Sequence, residues 1–340
     1  MNDEKRIAYI DLAKGFCICL VVFFHTKGVL GCHYVLDPFF ASFRLPLYFF
    51  LSGLFFKDYG SFSNFLIKKT NRLLIPFFFF YIIFSVIVPN ALHIFFGKTF
   101  ETVVGWPSLW AFIYPGVFPN IPIWFLWCLF IVNVLFWFLR IIAMKYGSCH
   151  KDVLLLVLCL ITGLTGYLLL EYDVMNVGYI LSALLYLPFF YIGYIFKKHE
   201  AITYLQSLSE KKVIFGSVIF LVITLLMTIV IAIHSVYTFY IFGITGVLFI
   251  MMLSRSIGRL PFFSYVGRYS IIVLVTHGII INVCSPLFVV LAKRIENNSL
   301  TTLLMTILIL LSYYLIIPLM IRYFPYVTAQ RPLLREKPKG

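Results

Sequence analysis

Apolar stretches, each near the length that crosses a bilayer, recur along the whole chain with short polar breaks between them. Ten of them fall at about residues 7–30, 39–57, 74–96, 121–143, 153–170, 176–196, 213–234, 236–254, 269–292 and 300–322. A hydrocarbon core of about 30 Å needs about 20 residues at 1.5 Å rise each, and backbone groups in lipid must be satisfied within the segment. Each stretch is therefore expected to be helical. The fifth is the shortest, and the seventh and eighth meet at His234–Tyr237. The pattern predicts an all-α polytopic membrane protein of about ten transmembrane helices, forming a single membrane-embedded domain over residues 1–340. The opening MNDEKR is too polar for the core of a signal peptide, so the first stretch reads as a retained span. There is no internal repeat or low-complexity tract.

Composition agrees with that pattern. The 340 residues are 62% hydrophobic and 12% charged, against about 25% charged in an ordinary soluble domain. The net charge of +14 raises the question of nucleic acid, and the placement of the charges answers it. With the N-terminus in the cytoplasm, 22 of the 27 Lys and Arg residues fall on cytoplasmic segments. Lys27, Lys98, Lys293 and Arg294 fall outside, and Arg44 lies within the second stretch. This is the positive-inside distribution, and it predicts an even number of spans with both termini cytoplasmic. The partner is then membrane lipid, with no nucleic acid. The seven cysteines are scattered without metal-ligand spacing, so neither a metal nor a disulfide framework is expected. The outer segment 97–120 carries Trp106, Trp110 and Tyr114; it reads as an interfacial aromatic belt or as a sugar-stacking lip.

Chemistry concentrates where ionisable groups interrupt apolar runs, because charge at membrane depth is costly and marks functional paths. The first stretch, RIAYIDLAKGFCICLVVFFHTKGVL, holds Asp11, Lys14 and His25. At about 100° per residue, Lys14 and His25 share a face with about 16 Å of rise between them, and Asp11 lies one turn before Lys14. The imidazole is suited to taking a proton from a hydroxyl. In the second stretch, Arg44 precedes Pro46, Tyr48, Ser52 and Gly53. Its guanidinium either snorkels to the interface or serves a water-lined site. Lys69 and Arg72 stand three apart before Pro76; they read as topology charges or as a grip on an anion such as a nucleotide phosphate. His277 stands alone in the ninth stretch. Tyr48, Asn133 and Asn176 are polar within apolar runs and read first as helix glue.

Together these motifs resemble the acyltransferase-3 family of integral membrane O-acyltransferases. The resemblance lies in Ile10-Asp11-x-x-Lys14-Gly15 with His25 eleven after the Lys, then Phe43-Arg44-x-Pro46-Leu47-x-Phe49-Phe50-x-Ser52-Gly53, then Lys69-x-x-Arg72. Trp124-Phe125-Leu126 and Gly267-Arg268-Tyr269-Ser270 followed by His277 add weaker matches. The Lys-Gly form and the compact length are most similar to the fucose 4-O-acetylase-like branch. The resemblance implies His25 as catalytic imidazole, with Asp11 and Arg44 in the catalytic set. It implies Lys14, Lys69 and Arg72 as contacts to acyl-CoA, with acetyl-CoA the expected donor. His277, Trp124 and Tyr48 are secondary candidates. The family's commoner residue at position 14 is Arg, and a Lys there cannot make the same bidentate grip.

The expected reaction is acyl transfer from cytoplasmic acyl-CoA to a hydroxyl of an envelope glycan or a lipid-linked sugar precursor, in a bacterial inner membrane. A different class remains open at this level: a proton-coupled transporter or flippase would use Asp11, Lys14 and His25 as a relay. Against it, no pair of matched broken repeats is present.

Overall fold

The computed structural model describes residues 7–57, 59–88, 121–172, 178–230 and 236–335. Among these, every element is helical, and each of the ten apolar stretches is helical over most of its described residues. Among the described residues, eight helices are long and apolar enough to cross a membrane. The chain is an all-α polytopic membrane protein. The two stretches outside that set are informative. The second, helix α2 (Asp37–Leu54), carries Asp37, Arg44 and two prolines, which lower its hydropathy without breaking it. The third begins as helix at Phe62 rather than at residue 74. It runs through α3 (Phe62–Lys69), a π-helical turn (Thr70–Leu74), α4 (Ile75–Tyr81) and a second π turn (Ile82–Ile87). Ser61 starts it by accepting the Asn64 N–H at 3.2 Å. Pro76 accounts for the first π turn. It offers no N–H to the carbonyl four residues back, and its ring crowds that carbonyl, so the preceding turn widens. The Ile75 N–H accordingly bonds Thr70 O, five residues back.

The chain divides into two compact units. The first comprises 1–55, 192–273 and 280–317. Here α1 (Ala8–Val29) and α2 form an antiparallel hairpin. Tyr48 Oη donates to Lys14 O at 3.2 Å, and Cys17 Sγ donates to Arg44 O at 3.3 Å. Lys27 and Asp37 close the turn with an ion pair, and Asp37 also accepts the Tyr34 N–H at 2.9 Å. Lys27, counted above among the outer loop charges, is instead buried. Phe43 of α2 enters α10 (Val236–Ile257) at Gly246, where any Cβ would lie 2.6 Å from its own. Phe39, Phe43 and Phe249 pack edge to face or tilted around that point.

On its other side α1 meets a short helix, α11 (Pro261–Arg268). The approach is backbone to backbone. A Cβ on Gly15 would lie 1.9 Å from Phe263 O, and one on Gly267 would lie 1.9 Å from Asp11 O. Two glycines thus allow α1 and α11 to touch, the small-residue packing that replaces the hydrophobic drive in lipid. α13 (Asn298–Tyr323) adds a Thr306–Thr26 hydroxyl pair at 2.6 Å.

The second unit comprises 56–191, 274–279 and 318–340. Its core is aromatic. Phe56 packs against Phe65, Phe136 and Phe190, with Phe136 on α5 (Trp124–Tyr146). Trp137 meets Phe62 at 4.4 Å, and Trp127 stacks on Phe77 at 5.6 Å. α6 (Lys151–Glu171) approaches residues of α7 (Gly178–Lys198) at Gly166, whose added Cβ would meet Leu184 and Leu185 at 2.7 Å.

Two stability predictions follow from this packing. Gly267→Ala is expected to cost about 1–3 kcal/mol, because a Cβ cannot enter without moving a backbone. Gly28→Ala, with open space around it, is the control and is expected within about 0.5 kcal/mol of wild type. Thermal unfolding in detergent compares the two; equal Tm values would contradict the close helix contact. Lys27→Met is expected to destabilise by about 1–3 kcal/mol, since it strands the Asp37 carboxylate, and Lys27→Met with Asp37→Asn is expected to recover part of that loss.

Candidate functional site

α1 carries its polar groups at two levels. One turn into the helix, Lys14 Nζ lies 3.8 Å from Asp11 Oδ1 and 4.7 Å from the centroid of Phe55. An ammonium over a ring face gains from the ring quadrupole. The Tyr48 hydroxyl bonds the Lys14 carbonyl, so α2 fixes the backbone of the residue that the resemblance places at the donor. Asp11 is itself buried, at the point where Gly267 presses on its carbonyl.

Three turns further along, Arg44 returns from α2. Its Cζ lies 3.9 Å from the centroid of Phe24. The same ring packs edge-on against His25, with centroids 5.4 Å apart at 80°. Lys27 Nζ is 5.2 Å from that ring. Phe24 therefore touches both the guanidinium and the imidazole, and the hairpin brings Arg44 to the His25 end of α1. His25 is half-buried. An imidazole and a guanidinium in contact with one ring are groups able to exchange a proton and to stabilise a negative oxygen.

The second unit holds Lys69, Arg72, Trp124 and His277. Lys69 is only 6% exposed. Its Nζ lies 5.7 Å from the rings of both Phe56 and Phe65, and Arg140 approaches Phe56 at 6.0 Å. Burial, with the Arg72 guanidinium adding to it, pushes the Lys69 ammonium down to about 7. Arg72 is exposed. The sequence places the two on one helical face; the π turn between them leaves one tucked among rings and the other in solvent. Asn71, buried between them, accepts the N–H groups of Leu333 and Leu334 at 2.8 Å and donates to Leu334 O at 2.9 Å. Trp124 opens α5 and stacks on Tyr179 at 5.8 Å. His277, in α12 (Ser270–Ile295), is completely buried.

The structure thus brings Asp11, Lys14 and Tyr48 together, and Arg44 with His25 through Phe24. It places Lys69 at the end of α3 and Arg72 within the widened turn that follows. Trp124 and His277 lie on other helices of the second unit. The aromatic segment 97–120 and Asn176 lie outside the described residues. Three features escape a reading of the sequence alone: the Lys27–Asp37 pair, the Asn71 anchor and the Gly15–Gly267 contact. Opposite charges ten residues apart across a Gly31-containing turn were the one signal for the first. The other two join residues more than 250 positions apart.

Comparison with known proteins adds one positive finding. The model of the acyltransferase domain matches residues 7–322. None of the curated proteins and none of the solved structures matches the chain. The match runs unbroken from the residue before α1 almost to the end of α13 and takes in each motif residue described above, so the chain belongs to the acyltransferase-3 family of membrane acyltransferases.

Proposed function

We propose that the protein moves an acyl group, acetyl in the simplest case, from cytoplasmic acyl-CoA to a hydroxyl of an envelope glycan or lipid-linked glycan precursor. The observation that carries this reading is the α1–α2 hairpin, which sets Lys14 and Tyr48 at one level and the Arg44–Phe24–His25 contact at another. Family membership supports the acyltransferase chemistry. The proposal includes ten spans as one domain, both termini in the cytoplasm, a bacterial inner membrane, and a place in the fucose 4-O-acetylase-like branch.

In this mechanism His25 takes the proton from the acceptor hydroxyl as its oxygen attacks the thioester carbonyl. The new C–O bond leaves a tetrahedral oxyanion, which the Arg44 guanidinium stabilises. Collapse breaks the C–S bond, and the departing CoA thiolate takes the proton back from His25. Asp11 orients Lys14. Lys14, Lys69 and Arg72 hold the phosphates of the donor. His277, Trp124 and Tyr48 shape the surroundings of the acceptor and donor.

His25→Ala is expected to lower acetyl transfer by about 100-fold or more, with thermal unfolding unchanged. Labelled acetyl-CoA and surface glycan in membranes provide the assay; wild-type turnover by that variant would end the mechanism. The Lys69 ammonium gives a second test. An anionic donor selects its charged form, so binding above pH 7 takes up a proton and affinity falls as pH rises through about 7. KM for acetyl-CoA is expected to rise between pH 6.5 and 8.5 by severalfold, and Lys69→Arg, which stays charged, is expected to flatten the profile.

A further inference from the structure

The segment after α13 reads in the sequence as a short, basic, solvated tail. The structure makes it something else. Phe324 O accepts from both the N–H and the hydroxyl of Thr328, at 3.2 and 2.8 Å. Pro325 O accepts the N–H groups of Gln330 and Arg331 at 2.9 and 3.0 Å. Ala329 takes a left-handed φ of 57° to close the loop. The chain then reaches Asn71, whose side chain satisfies two backbone N–H groups and one carbonyl at Leu333 and Leu334. Both partners belong to the second unit.

The position of this anchor matters. Asn71 lies between Lys69 and Arg72, and the anchored dipeptide lies between Arg331 and Arg335. Both tail arginines are exposed. Among the described residues, none of Lys69, Arg72, Arg331 and Arg335 has a carboxylate within 4.0 Å. Four basic residues thus flank one anchored contact in the sequence. An amide is suited to the anchoring task because it satisfies donors and an acceptor while adding no charge. The tail also lies beyond residues 7–322 that the family shares.

We propose that the C-terminal tail completes the phosphate-binding site begun by Lys69 and Arg72, with Arg331 and Arg335 contacting the nucleotide end of acyl-CoA and Asn71 acting as the positioning residue that docks them. The inference rests on the acyl-CoA reading given above. The nucleotide end of CoA carries a 3′-phosphate and a 5′-diphosphate, more negative charge than one lysine and one arginine neutralise. Guanidinium groups on a pre-docked loop offer bidentate contacts to phosphate without the entropy of ordering a free tail.

The test uses the full chain in nanodiscs, with acetyl-CoA and 3′-dephospho-acetyl-CoA as donors. Arg331→Gln with Arg335→Gln is expected to raise KM for acetyl-CoA about three- to tenfold, with kcat within about twofold, from two exposed charge contacts. The rise is expected to shrink with the dephosphorylated donor. Asn71→Ala is expected to raise KM likewise and to abolish hydrogen-exchange protection at Leu333 and Leu334. Asn71→Asp is expected to keep that protection but not the KM, because its charge neutralises the site. An unchanged KM in the double arginine variant, or an equal rise with both donors, overturns the inference while leaving the acyltransferase reading intact. So does a defect that vanishes in neutral phosphatidylcholine, which would assign the arginines to lipid headgroups. Failure of the wild type to bind CoA and to use acetyl-CoA overturns both.

Discussion

A cation drawn away from water must be met by something, and in this chain it is most often met by an aromatic ring. The 27 basic residues face only 13 acidic ones, while phenylalanine alone supplies 38 rings. Lys14 lies over Phe55, Arg44 and Lys27 over Phe24, and Lys69 between Phe56 and Phe65. Each such contact contributes about 0.5–2 kcal/mol, well short of the several kcal/mol that desolvating a charge costs. Rings thus share in holding these cations in place.

The exceptions mark where geometry takes priority over readiness for a ligand. Lys27 is given to Asp37, and that pair closes the turn of the α1–α2 hairpin. Asp11 keeps Lys14 within 3.8 Å. On the opposite side, Gly15 and Gly267 let α11 lie directly on the backbone of α1. The first helix is therefore braced by α2 and by α11, and its polar groups have fixed positions before any substrate arrives. Pre-organisation of that kind is what general-base and oxyanion chemistry requires, because groups that must reorient on binding spend binding energy on doing so.

Sequence and structure agree where the physics is local. A run of about 20 apolar residues leaves the backbone no option but helix in lipid, and all ten runs are helical over most of their described residues. The common face of Lys14 and His25 follows from helical periodicity alone. Hydropathy misplaced the start of the third helix because it registers only apolar residues. The segment 62–73 is helical through its Ser61 cap and the absence of Pro or Gly, at modest hydropathy. Contacts between distant positions were not legible. Asn71 reads as one polar residue in a basic run, and Gly267 as half of a weak motif. Only the fold shows that one holds the tail and the other admits α11 to α1. The assignment of His25, Arg44 and the donor contacts came from motif order, and the hairpin supplies a geometry in which those roles are compatible.

The widened turn at Thr70–Leu74 ties these observations to donor binding. On a regular α-helix, residues three apart share a face, and Lys69 and Arg72 would repel each other in one environment. The π turn forced by Pro76 separates their surroundings, so Lys69 is buried among rings while Arg72 stays in water. Arg72, exposed to water, is the proposed first contact for an anion. In the proposed reaction, an incoming phosphate restores the charge of Lys69, which burial lowers to about 7, by raising its affinity for a proton. On that proposal the empty site is spared a fully charged, desolvated ammonium, and the filled site regains it as a donor to phosphate. Under the proposed donor contacts, a strong helix breaker two residues into the third apolar run is the residue that makes the anion site cheap to keep empty and tight when occupied.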